Sequence, residues 1–295
     1  MCSAWGINMG IFDGYLFCAD CDGTMTDSKG LLAKEDAEAI RFFQKEGGLF
    51  TYATGRFPKH IDKFTGLFQP NAYQIMGNGT TIYDVENRRV VHEVTMAPPR
   101  EALDYIVGEG LCHLIFVDHL THSVGWARAV EHRRPWDDSN MNTDYEVLFA
   151  PEEEGWHKIN FCFETPEENV RVCRLMQERF PQYQFVCSWP CGMELLPMEG
   201  GKGNGVRYLR ELLGDKVKTV VCAGDYENDI SMLEAADIGY AVANASELTK
   251  AAADRITVSN DEHAIAAIIR DLRRGDLRRG DLARGDLSHG DLHRG

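Results

Sequence analysis

The most restrictive feature of this chain is a rhythm: short apolar runs alternate with helical stretches from Tyr15, stop at Thr80 and return near Met193. Such alternation is what a parallel sheet covered by helices on both faces requires, because each crossover between parallel strands carries a helix. In the first half the expected strands are Tyr15 to Ala19, Leu49 to Ala53 and Ala72 to Met76. Between the first two, Lys34 to Glu46 has acids in its first turn and stops at Gly47-Gly48, as a helix should. Pro58 opens a further helix, and Gly77-Asn78-Gly79 reads as a turn.

At Thr80 the pattern changes. Thr81 to Val85 and Val90 to Val94 flank a four-residue turn as a hairpin would, and the antiparallel pairing marks a different subdomain. Within it fall a helix at Glu101 to Glu109, strands at Leu114 to Val117 and Lys158 to Phe163, and a helix opened by the capping box Thr165-Pro166-Glu167-Glu168. The stretch from His119 to Trp156 is polar, aromatic and aperiodic, and no element is assigned to it. After Met193 come helix Asn204 to Leu213, strand Thr219 to Ala223, helix Asp229 to Ala235, strand Gly239 to Val242, and helical signals at Glu247 to Ala253 and Glu262 to Ile269. The expected organisation is a Rossmann-like α/β core in two parts, residues 10–82 and 191–270, with an α/β cap inserted at 83–190. From Arg273 a five-residue period sets Gly-Asp-Leu at 275, 280, 285 and 290, and the tail 271–295 reads as low-complexity and disordered. Residues Met1 to Asn8 read as a loose leader.

Charge and cysteine usage narrow the function. Thirty-one basic against 46 acidic residues give a net charge of −15, which disfavours nucleic acid and anionic membranes as partners. Nine scattered cysteines suit reduced core thiols and a cytoplasmic address, and no apolar run is long enough to span a membrane.

In open parallel sheets ligands bind beyond the carboxyl ends of the strands. Asp20, Thr54, Asn78 and Asp225 all stand there. Asp20-Cys21-Asp22-Gly23-Thr24 sets two acids two apart, so that on extended backbone they point the same way. One can attack phosphorus as a carboxylate while the other, kept protonated by like-charge crowding, donates to the leaving oxygen. Asp225 and Asp229 can approach one cation from a loop and a helix start, and with Asp20 they suit magnesium, which takes few protein carboxylates and keeps waters. Thr54-Gly55-Arg56 offers a hydroxyl, a close-approach glycine and a cation, and Lys202 in its glycine-rich approach to a helix can neutralise phosphoryl charge.

Together these motifs resemble the haloacid-dehalogenase-like hydrolases, and within them the Cof-type phosphatases with a large α/β cap. The likeness runs from about Gly10 to Arg270, and extends to the run from Gly224 through Asn244 to Ser259-Asn260-Asp261. It implies Asp20 as nucleophile and Asp22 as acid/base, with Thr54 and Lys202 holding the phosphoryl group. It also implies Asp20, Asp22 (through its backbone carbonyl), Asp225 and Asp229 as ligands of Mg2+. Gly23, Thr24, Gly55, Arg56, Asn78 and Asn228 are the expected phosphate- and substrate-binding positions. The implied activity is hydrolysis of a small phosphorylated metabolite, a sugar phosphate or phosphorylated cofactor, through an aspartyl phosphate. A phosphomutase or phosphotransferase of the same fold, or a catalytically idle ligand-binding homologue, is the alternative. Cys21 between the acids, Met25-Thr26 after them and Gly200-Gly201 before the lysine depart from the family's usual residues but remove no charge.

Three weaker signals have plain readings. Cys18 and Cys21 sit three apart along a strand, face opposite sides and belong to core packing. His113, His119, His122 and His132 lack a second ligand pair and read as surface or packing residues. Trp126, Trp136 and Trp156 read as buried rather than as a stacking platform.

Overall fold

The computed structural model describes residues 10–58, 67–118 and 155–275, together with the backbone of Ser123–Ala127. The leader, the helix expected after Pro58, Trp136, three of the four cap histidines and the repeats from residue 276 lie outside the described residues, as do most of 119–156.

Five parallel strands form the core sheet. β11 (Thr219–Gly224) lies at its centre, with β1 (Tyr15–Ala19) and then β2 (Leu49–Tyr52) on one side and β12 (Ile238–Ala241) and β13 (Arg255–Ile256) on the other. Because helices cover both faces, β1 is apolar on both. Phe17 and Ala19 point into a cluster with Phe43 of α1 (Lys34–Lys45) and Ile265, Ile268 and Leu272 of α7 (Ala264–Arg273). Leu16 and Cys18 point the other way, toward Val206 and Leu209 of α4 (Lys202–Leu213) and Met232 and Leu233 of α5 (Ile230–Ala235). Cys21 joins the first cluster and Cys18 the second, so the two thiols are core residues on opposite faces. α6 (Glu247–Ala252), capped by Ser246, follows β12. Leu272 is buried, which carries α7 past the expected start of the tail at 271.

The expected hairpin forms, as β4 (Thr81–Asp84) and β5 (Arg89–Glu93). It pairs with β3 (Gln74–Met76) in a three-stranded sheet, and a bridge from Ala53 to Ile75 joins β3 to the end of β2. The hairpin therefore extends the core side of the molecule rather than opening the cap.

A second five-stranded sheet, wholly antiparallel, has the order β7-β6-β8-β10-β9. Its strands are β6 (Leu114–Asp118), β7 (Ser123–Ala127), β8 (Lys158–Cys162), β9 (Gln184–Trp189) and β10 (Gly192–Leu196). β7 occupies part of the stretch to which the sequence assigned no element. β10 forms a hairpin with β9 across a tight turn, which takes this sheet beyond the expected boundary at residue 190. Period-two alternation sorts its faces. Ile115, Val117, Ile159, Phe161, Met193 and Leu195 share a cluster with residues of α2 (Arg100–Gly108) and α3 (Pro166–Arg179), and Trp156 is fully buried there. At the head of α3, Thr165 Oγ1 accepts the Glu168 N–H at 3.2 Å. The residues in the alternate positions, Asp118, Lys158, Asn160 and Glu194, are polar and yet buried.

Candidate active site

Four chain segments converge at the carboxyl ends of the core strands. Asp20 directly follows β1, and its N–H still donates to Ala223 O at 2.9 Å, so the ladder fixes where its side chain leaves the sheet. The next residues turn back sharply: Thr26 N–H donates to Cys21 O, and Gly23 has φ 81°. A Cβ on Gly23 would lie 2.5 Å from Asp225 Oδ2, so only glycine lets the loop after β1 meet the loop after β11.

Lys202 opens α4. The residue is 1% exposed, and its Nζ lies 2.5 Å from both Asp20 Oδ1 and Asp229 Oδ1. A cation at a helix N-terminus opposes the helix dipole, so the placement is costly unless anions surround it. Burial works against the Lys202 charge, but the adjacent Asp20 and Asp229 outweigh it and hold its pKa above that of an ordinary lysine. Asp20 is pushed well above the usual carboxylate range by desolvation, with Asp229, Asp225 and Asp22 adding to the rise and Lys202 opposing it. Asp229 turns its other oxygen to the N–H groups of Asp225 (2.9 Å) and Tyr226 (3.2 Å), locking the loop after β11. Thr24 Oγ1 donates to Asp225 Oδ1 at 2.9 Å, and desolvation, followed by the Asp229 charge, pushes Asp225 up to about 7.

Ligand oxygens of Asp20, Asp225 and Asp229 lie within 4.8 Å of one another. Four carboxylates gather here against the Lys202 ammonium and the Arg56 guanidinium, an excess of two negative charges when all four are ionised. Hard, partly buried oxygen donors with that excess fit a divalent cation.

Arg56 binds Asp22 bidentately, Nε to Oδ2 and Nη2 to Oδ1, both at 2.7 Å. Its backbone N–H donates to Thr54 Oγ1 at 3.1 Å, and Thr54 is buried. Asn78 follows β3 with left-handed backbone, packs beside Gly55, and accepts from Asn228 Nδ2 at 3.1 Å. The sequence-expected residues thus lie on the loops of one sheet rim, with Asp20, Asp225, Asp229 and Lys202 in a single cluster and Asp22 joined to Arg56.

Two groups of residues have roles that the sequence does not assign, although the family likeness runs through the first. Asn244 Nδ2 donates to Gly23 O (2.8 Å) and its Oδ1 accepts from Asn260 N–H (2.9 Å), while Asn260 Nδ2 holds Thr26 O (2.9 Å) and Asp261 holds Ser28 N–H (2.8 Å). These residues brace the loop after β1 from a distant part of the chain. The second group is in the cap: Glu194 accepts from Lys158 Nζ at 2.9 Å and from Asn78 Nδ2. Charges alternating with apolar residues in a strand look like a solvent face, so their burial leaves no mark in sequence alone.

The chain matches the haloacid dehalogenase-like hydrolase family across residues 17–269. It belongs to that family. Among curated relatives it is 28% identical over 286 residues to phosphatase YwpJ of Bacillus subtilis (strain 168), covering 87% of this chain and 99% of that one. It is also 28% identical over 269 residues to the pyridoxal phosphate phosphatase YbhA of Escherichia coli (strain K12), covering 85% and 95%. A solved haloacid dehalogenase-like hydrolase from B. subtilis superposes with a TM-score of 0.72 at 24% identity over 86% of this chain and 98% of that one, which establishes the shared fold. The Cof-type resemblance read from the motifs therefore holds, and the haloacid dehalogenase-like chain is an enzyme, a hydrolase of phosphoric monoesters. Among the described residues no helix is long and apolar enough to cross a membrane.

Proposed function

We propose that this haloacid dehalogenase-like enzyme is a magnesium-dependent phosphatase of small phosphorylated metabolites, working through a phosphoryl group carried on Asp20. The observation that supports this best is the seating of buried Lys202 between Asp20 and Asp229, beside Asp225. A binding protein has no use for so costly a concentration of acids, whereas phosphoryl transfer needs a nucleophilic carboxylate next to cations that offset the charge on phosphorus.

Asp20, Asp225, Asp229 and the backbone carbonyl of Asp22 would hold Mg2+, which when bound neutralises phosphoryl charge and draws the phosphate to the nucleophile. Lys202 keeps Asp20 oriented and opposes the desolvation that favours its protonated form. Asp20 Oδ attacks phosphorus and the bond to the leaving oxygen breaks, with Asp22, which takes a proton from solvent once Arg56 has left it, protonating that oxygen. Arg56 transfers from Asp22 to a phosphoryl oxygen when substrate arrives, which frees Asp22 to reach the leaving group; Thr54, Thr24 and the backbone at Gly23 and Gly55 complete the cradle. Asp22 then takes a proton from water, which attacks phosphorus, and the bond to Asp20 breaks. Cys18, Cys21, Cys173, Cys187, Cys191 and Cys222 are free thiols, which favours a reducing, cytoplasmic setting.

Hydrolysis of a generic aryl phosphate by the purified chain, with and without magnesium and with Asp20→Asn beside it, tests the reading. Magnesium-dependent turnover abolished in the variant is the expected result. Turnover that survives Asp20→Asn rules the mechanism out.

A further inference from the structure

Asn78 bonds to three loops of the site and to the cap, but neither end of its amide points at open space. Its N–H donates to Thr54 O at 2.9 Å, and its C=O accepts from Gly201 N–H at 2.8 Å, one residue before Lys202. Its Oδ1 accepts from Asn228 of the loop after β11, and its Nδ2 donates to Glu194 of cap strand β10, with Ser188 Oγ of β9 at 3.5 Å. The amide's orientation is fixed, because a carboxylate only accepts and so must face nitrogen. The residue is 1% exposed, with φ 55° and ψ 44°, a conformation asparagine tolerates. Glu194 is in turn held by Lys158, whose Nζ lies 5.9 Å from the ring centre of Phe57, just beyond Arg56.

We propose that Asn78 is a positioning residue rather than a phosphate ligand: it sets Thr54, Asn228 and the approach to Lys202 in register with one another, and Glu194 of the cap holds it in place. The cap thereby reports its seating to the catalytic loops through one amide. This rests on the phosphatase reading above and adds to it that the cap contributes to the rate through a core residue that never touches substrate.

The test is a charge-repair pair, read as kcat and KM on an aryl phosphate at saturating magnesium. Asn78→Asp keeps the shape and the bond to Asn228 but sets a carboxylate against Glu194. The double variant Asn78→Asp with Glu194→Gln restores a donor facing an acceptor. Asn78→Asp should lower kcat at least tenfold with KM within about threefold and lower the melting temperature as well, and the double variant should recover most of both losses. If Asn78→Asp folds poorly, Asn78→Gly, which suits the left-handed backbone, carries the question: kcat should fall similarly, and Glu194→Gln should not repair it. Near-normal kcat in a folded Asn78 variant, or a double variant no better than Asn78→Asp, overturns the proposal. Absence of activity in the unmodified enzyme would instead refute the phosphatase reading.

Discussion

Lys202 Nζ and Asp20 Oδ1, 182 residues apart in sequence, stand 2.5 Å from each other in the protein interior. Asp20 closes β1 and Lys202 opens α4, and the insertion of a whole antiparallel unit between them leaves that contact intact. A charge pair so buried is expensive to assemble, so its removal should be visible in both stability and rate.

Lys202→Met keeps the length of the side chain and removes the ammonium. Leaving Asp20 and Asp229 without their buried partner should cost about 3–5 kcal/mol of stability, and the loss of charge facing the phosphoryl group should lower kcat on the order of a hundredfold or more. Added magnesium should recover part of the stability, since it restores positive charge to the same acids. Thermal unfolding with and without magnesium, beside steady-state kinetics, reads both effects.

Magnesium affinity should rise with pH through about 7. In the metal-free protein Asp225 titrates at about 7, well above its ordinary value, mainly through desolvation and the nearby Asp229. Its raised pKa means that the folded state holds a proton more tightly than the unfolded chain, so the protonated carboxyl favours folding at low pH and its ionisation weakens the fold as pH climbs through 7. A cation relieves that penalty and competes with that proton. Titration calorimetry should therefore show tighter magnesium binding at pH 8 than at pH 6, and magnesium should raise the melting temperature more at the higher pH.

Gly23→Ala should fail at the meeting of two loops. The left-handed backbone at φ 81° costs an alanine roughly 1–2 kcal/mol, and the new methyl would press on Asp225 Oδ2. Weaker magnesium binding with the fold retained is the expected outcome in a calorimetric titration.

Much of this site is legible in the amino-acid sequence itself. Asp20, Thr54, Asn78 and Asp225 announce themselves because a strand end in an open parallel sheet is fixed by local pattern, and strand β1 reads plainly when both of its faces are apolar. Pairing between distant segments is what local pattern does not carry. The β4–β5 hairpin forms as expected, yet only tertiary contact decides that it joins β3 and thereby the core. β7 escapes detection because its five residues at the sheet edge, Ser-Val-Gly-Trp-Ala, give only two large apolar positions to find. Lys158 and Glu194 look like solvent-facing charges in a half-buried strand, and their burial depends on what the polar face of the cap sheet lies against. The bidentate Arg56–Asp22 pair likewise joins residues 34 positions apart that the sequence assigns to separate tasks.

Asn260 shows how the far end of the chain supports chemistry at its start. Its Nδ2 holds Thr26 O in the interior, while its N–H is held by Asn244, which also grips Gly23 O. Asn260→Ala should cost about 1–3 kcal/mol by leaving the buried carbonyl unpaired, and kcat should drop on the order of tenfold as the nucleophile loop loses its register. Asn260→Asp should be no better, because a carboxylate cannot donate to Thr26 O. Denaturation midpoints and kcat for the two variants check this.

The central claim is that Asp20 itself carries the phosphoryl group between two half-reactions. Acid quenching during turnover, followed by peptide mass spectrometry, tests it most directly. A phosphorylated peptide spanning residues 15–30, with the label on Asp20 and lost in Asp20→Asn, is the predicted result. Phosphoryl label on another residue, or turnover by Asp20→Asn, would contradict the account.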